Sequence, residues 1–138
     1  MPRISTTDYR SLAAFRFEIR KFLAFSERAA SDAGIEPKQH QLLLAVRGLP
    51  PGTRPTVGVV AERLCVRHHT TVALVDKLEE RGLVRRERGT EDRREVLLHL
   101  TPEGESMLRG LSALHRDQLR SVGPTMVAAL RAILAGDG

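Results

Sequence analysis

Three observations predict a mainly α chain with one small β-hairpin, an α+β arrangement. Apolar residues recur at helical spacing over most of the length, the period falls to two over one stretch after Gly82, and turn residues punctuate the chain at short intervals. At 138 residues the chain is long enough to bury a real core without metals or staples, and its single Cys rules out an internal disulfide.

The first helix is expected from about Asp8 to Ala33, after a loose arm of seven residues. Leu12, Phe15, Ile19, Phe22, Ser26 and Ala29 fall on one face, and Gly34 supplies a stop. Phe17, Ala24 and Phe25 widen the apolar surface beyond one stripe, so other helices or a second subunit should cover more than one side.

A second helix starts at Pro37, well suited to a first turn, and runs through "KQHQLLLAVR" to Gly48, followed by the loop "LPPGTRP". Thr56 reads as the N-cap of the short helix "VGVVAERL". The next helix spans His68 to Arg81, with Thr71, Leu74, Val75 and Leu78 turned inward and Gly82 ending it. "LVRRER" and "EVLLHLT" then read as strands around the polar turn "GTEDRR". Thr101 and Pro102 restart a helix with the stripe Met107 or Leu108, Leu111, His115, Leu119 and Val122. Gly123 and Pro124 are expected to break it before a last helix, "TMVAALRAILA".

Two helices joined by the tight turn "CVR" can place the start of the second in a DNA major groove, while a following hairpin brings basic residues to the flanking groove. This is a winged helix-turn-helix. Between Arg63 and His99, nine Arg or Lys face seven Asp or Glu, so placement counts for more than net charge. Arg67, His68, His69, Thr70 and Thr71 occupy the end that would meet DNA, and Thr71 also fits the inward stripe. Arg86, Arg88, Asp92, Arg93 and Arg94 are the wing candidates. The whole chain carries a formal net charge of +5, in keeping with a nucleic-acid or acidic partner.

The segments "PKQHQLLLAV", "VAERLCV", "TTVALVDKLEERGLVRR" and "DRREVLLHLTPEG", in that order from about Phe15 to Leu119, resemble the MarR family of transcription regulators. The resemblance implies a homodimer on double-stranded DNA, with the recognition helix in the major groove and the wing in the minor groove. It implies dimerisation helices at both chain ends: an arm and helix over residues 1–34, the winged helix-turn-helix over 35–101, and C-terminal helices over 102–138. A small aromatic or anionic effector near the first helix is a further implication, with Phe15, Ile19, Phe22 and His40 as candidates for its pocket or for the dimer core. Asp92 and Arg94 match the family's Asp-x-Arg pair. One departure is clear: where the family often has a Ser cap followed by Pro, this chain has Arg67 and His68.

Other readings of the same residues weigh less. Cys65, His68 and His69 fall short of the roughly four Cys or His ligands of a structural zinc site, so neither metal nor cofactor is expected. Cys65 reads instead as a small apolar residue packed in the turn. The two histidines could be solvated helix-start residues, and Glu87, Glu91 and Glu95 could neutralise the arginine run locally. Phe15, Ile19 and Phe22 fit packing better than a ligand cage. There is no Gly-rich phosphate loop, nucleophile elbow or carboxylate pair on a recognisable scaffold, so no enzyme is expected. Without a signal-like segment or a long apolar run, a cytoplasmic location away from membranes is the expectation. A winged helix used only for protein contacts is the alternative function.

Overall fold

The computed structural model describes residues 1–135. Its elements are α1 (Thr6–Asp32), α2 (Pro37–Arg47), α3 (Val57–Leu64), α4 (His68–Glu80), β1 (Val84–Arg88), β2 (Val96–Leu100) and α5 (Pro102–Leu134). The last three residues of the expected 102–138 segment lie outside the described ones. Two compact units divide the chain, a central one over Ala30–Leu111 and a terminal one made of Met1–Ala29 with the chain from Ser112 onward.

Capping sets where the central helices begin. Thr56 Oγ1 accepts from the Val59 N–H at 3.1 Å, starting α3 as the sequence predicts. Gly82 adopts φ 72° just past α4, a left-handed conformation that costs a glycine little, and its N–H donates to the Glu79 carbonyl. Thr101 Oγ1 accepts from the Gly104 N–H at 3.0 Å, while its own hydroxyl donates to the Gly82 carbonyl at 2.6 Å. These bonds seat the first turn of α5 beside the turn that leads into β1. Leu42, Leu43, Val60, Val75, Leu78, Val84 and Leu98 are essentially fully buried, so α2, α3, α4 and both strands share this core. Each such side chain contributes about 1.5–3 kcal/mol on leaving water.

The hairpin is antiparallel, with Val84 opposite Leu100 and Arg88 opposite Val96. Apolar packing holds β1 only at its base, where Val84 is buried while Arg85, Glu87 and Arg88 are exposed, and holds β2 at its middle, through Leu98. Backbone contacts on the other side reinforce β2: Thr56 bridges to Leu97, and the Leu98 N–H donates to the Pro55 carbonyl at 2.8 Å.

In the terminal unit α1 and α5 meet around His115, whose Nε2 lies 2.8 Å from Ser26 Oγ and whose ring stands edge-on to Phe22 and Phe25 at 5.9 and 5.4 Å. Several expectations need correction. The loose arm is shorter than seven residues, because Ser5 and Asp8 cap each other's backbone N–H and start α1 at Thr6. Gly123 and Pro124 do not end a helix, since α5 runs unbroken through Pro124. Cys65 is exposed rather than packed, because it is the left-handed C-cap of α3 (φ 56°) and its backbone makes the turn.

Candidate nucleic-acid interface

At the start of α4, Arg67 is the N-cap and makes no side-chain cap bond, as expected for a chain without a Ser there. Arg67, His68 and His69 are exposed and Thr70 is half-buried. Thr71 does not belong with them. It is fully buried, and its hydroxyl turns back to donate to the Arg67 carbonyl at 3.4 Å, so the inward stripe claims it.

Across a cleft of about 340 Å³ from His68 stands the wing, with Arg86, Arg94 and Val96 on the far wall and Val72 of α4 on the near one. Arg94 reaches outward, its side chain 94% exposed. Asp92 Oδ1 accepts from the Arg94 N–H at 3.0 Å and sits 3.5 Å from its Nε, so the acid shapes the turn and touches the guanidinium. At such exposure the ion pair adds little stability. Arg88 Nη1 donates to the Arg93 carbonyl at 2.9 Å, tying the two sides of the tip together.

The acids expected to neutralise the arginine run are partly used elsewhere. Glu95 pairs with Arg54 of the α2–α3 loop at 2.9 Å. Glu87 lies 2.7 Å from His99 Nε2 and 3.7 Å from Arg85. The His99 contact is off the line of an N–H bond, leaving that nitrogen without an aligned partner. Among the described residues, no acid pairs with Arg88 or Arg93, so the tip keeps exposed cationic side chains.

Arg86 is the clearest departure from the expected wing set. Its fork is spent on two half-exposed acids of α4, with Nη1 2.7 Å from Glu79 Oε1 and Nη2 on Asp76 Oδ1. Burial works against its charge, but hydrogen bonds to Asp76 and Glu79, and their charges, hold its pKa above the ordinary value. Asp76 and Glu79 were not singled out in the sequence. Two acids at i, i+3 on one helix, followed by an Arg in the next strand, are the signal that would have found them.

The candidate effector residues are not gathered in one unit. Phe15, Ile19 and Phe22 belong to the terminal unit, where Phe22 lines a cleft of about 300 Å³ with Lys21, Arg28 and Gln118. His40 is buried in the central unit. Among the described residues, no three His, Cys, Asp or Glu side chains cluster as a metal site would require, and no helix is long and apolar enough to cross a membrane.

The family model for the MarR family matches residues 33–95, the stretch that carries the helix-turn-helix and the wing. Over that stretch the chain is similar to the MarR family. Around this MarR-type region the fold matches AbsC, a MarR family regulator from Streptomyces coelicolor, with a TM-score of 0.74 and 19% identity over 88% of this chain and 81% of that one. The M. tuberculosis regulator MosR, solved in complex with DNA, matches with a TM-score of 0.61 and 24% identity over 78% of this chain and 77% of that one. In sequence, a transcriptional regulatory protein for the hcr operon of Thauera aromatica is 28% identical over 105 residues, 75% of this chain. The chain spans 61% of that relative's length. The matched family and these relatives are transcriptional regulators, not enzymes.

Proposed function

We propose that this chain is a cytoplasmic transcriptional regulator, acting as a homodimeric repressor on a pseudo-palindromic operator. One observation carries the reading: His68, flanked by the exposed Arg67 and His69 at the start of α4, and the outward Arg94 of the wing line one cleft in the central unit. That spacing suits a helix start in the major groove and a wing tip in the adjacent minor groove. Two copies related by a twofold axis then read inverted half-sites about 34–36 Å apart.

The same proposal includes a small aromatic or anionic effector whose binding releases DNA. Its support is the Phe22-lined cleft with Arg28 and with Lys21, which Glu18 partners at 2.9 Å. A thermal-shift screen of small aromatic acids, each hit then titrated against the DNA complex, tests this part, because coupling between two sites is reciprocal. Hits that leave DNA affinity untouched are not effectors.

Selection of duplexes from a random pool tests the main reading. Inverted repeats are expected, bound with an affinity that falls steeply as salt rises. Arg67→Ala should cost about 1–3 kcal/mol on the selected operator if Arg67 pairs a guanine edge, and weaken all duplexes alike if it meets phosphate only. A chain that shifts no duplex at low salt is instead a winged helix for protein contacts, and the DNA reading falls.

A further inference from the structure

We propose that Arg86 is a positioning residue: clamped on Asp76 and Glu79, it fixes the wing against α4 and so sets where the two groove-facing surfaces lie relative to each other. The inference rests on the DNA-binding reading above and adds a role that reading does not contain.

A two-stranded hairpin is marginal by itself, so its direction depends on what ties it down. β1 is held at its base by Val84, and β2 at its middle by the buried Leu98, whose N–H also donates to the Pro55 carbonyl. Beyond Val84, β1 has no such packing, and Arg86 is its only half-buried residue before the tip. The Arg86 backbone N–H points away from β2 and donates to Glu79 Oε2 at 3.2 Å, so Glu79 also fills a donor on the open strand edge. With Nη1 on Glu79 and Nη2 on Asp76, three bonds join mid-strand to two successive turns of α4. A planar guanidinium spans two carboxylates in one fixed geometry, which a lysine's point charge does not.

Charge arithmetic points the same way. One Arg against two acids makes the cluster net negative, beside a surface read as facing phosphate. As an attractor of DNA the cluster would be counterproductive, so its contribution is geometric. Glu95 and Arg54, 2.9 Å apart, brace the opposite side of the wing, which leaves the Arg86 clamp to set the angle toward α4.

The test uses the full chain and an operator selected from random duplex. The triple variant D76N/E79Q/R86M removes two negative charges and one positive, so charge counting predicts tighter binding. The clamp predicts affinity lower by about tenfold, the effect of one misplaced groove contact, with a flattened preference for A·T over G·C in the wing flanks. It also predicts that Arg86→Met leaves the slope of log affinity against log salt unchanged, because no phosphate contact is lost. A slope smaller by about 0.9 would make Arg86 a phosphate ligand and overturn the clamp. Tight binding by the triple variant with its flank preference intact would overturn it too. Should the triple variant not fold, Arg86→Lys keeps the charge without the fork: the flattened preference supports the clamp, and an unaltered one sinks it. If the unmodified chain binds no duplex, the DNA reading itself fails, an outcome distinct from all of these.

Discussion

Gly104 lies where a Cβ would sit 2.1 Å from the Leu83 carbonyl oxygen, closer than any side chain tolerates. The first turn of α5 is drawn onto that carbonyl because the Thr101 N–H donates to it at 3.1 Å, so the helix cannot easily retreat. Gly104→Ala should therefore destabilise the fold by about 1–3 kcal/mol despite alanine's better helix propensity. Gly110, in the same helix with open space around it, is the control. There the same substitution should stabilise by up to about 1 kcal/mol. Urea unfolding of both variants settles the contrast, and two shifts of the same sign would mean the Leu83 contact is not decisive. Asp92 poses a second question at this scale. Asp92→Ala should weaken operator binding although it removes a negative charge, because the turn that presents Arg94 loses its acceptor. Asn keeps an acceptor for the Arg94 N–H but not the charge near Nε. Near-normal binding by Asp92→Asn would assign the effect to the turn, and tighter binding by Asp92→Ala would leave the tip a solvated basic loop.

Among the elements, α5 shows how a local signal misleads. Gly123–Pro124 reads as a helix stop, yet the half-buried residues His115, Gln118, Val122, Met126, Ala129 and Ile133 keep helical spacing straight through it. Phase continuity across a proline was present in the sequence and outweighs one missing N–H bond. Because Pro124 is exposed, Pro124→Ala should restore that bond and stabilise α5 by about 1–3 kcal/mol, visible as a higher melting temperature. No change would mean the proline is relieved by local distortion. Elsewhere the elements were legible where one residue decides: Thr56, Gly82 and Thr101 mark boundaries by local chemistry, and the Thr71–Leu78 stripe marks the buried face of α4. What stayed hidden depends on tertiary geometry. Whether an arginine faces solvent or a neighbouring helix cannot be read from a strand period of two, so the sequence alone does not separate Arg86 from Arg88, Arg93 and Arg94. Cys65 misleads for a related reason: composition suggests burial, but the backbone at a left-handed cap points the side chain out.

For the molecule as a whole, the distribution of exposed apolar surface is the informative quantity. Scattered exposed leucines are ordinary, but here they are concentrated. In the terminal unit Leu12, Phe17, Leu23, Leu114, Leu130 and Leu134 are each between 40% and 74% exposed, whereas in the central unit Leu44 is the one large apolar residue so classed among those described. A lone helix pair with such surface on both helices invites a symmetric partner. Sedimentation equilibrium at micromolar concentration should therefore give twice the 15.3 kDa of one chain. Substitution separates this from a merely sticky monomer. In a monomer, Leu23→Asp and Leu114→Asp replace side chains already about half in water (51% and 53% exposed), so each should shift stability by no more than about 0.5 kcal/mol. In a dimer they bury a carboxylate against apolar surface, and the mass should fall to that of one chain. Leu44→Asp, 45% exposed in α2, controls for the chemistry of the substitution and should leave the mass doubled. Dissociation should also remove the preference for inverted repeats, since a single winged helix has no second half-site to read, while contacts to one half-site persist at low salt. A wild-type chain that sediments as a folded monomer would end the dimer reading and leave the exposed leucines to some other partner.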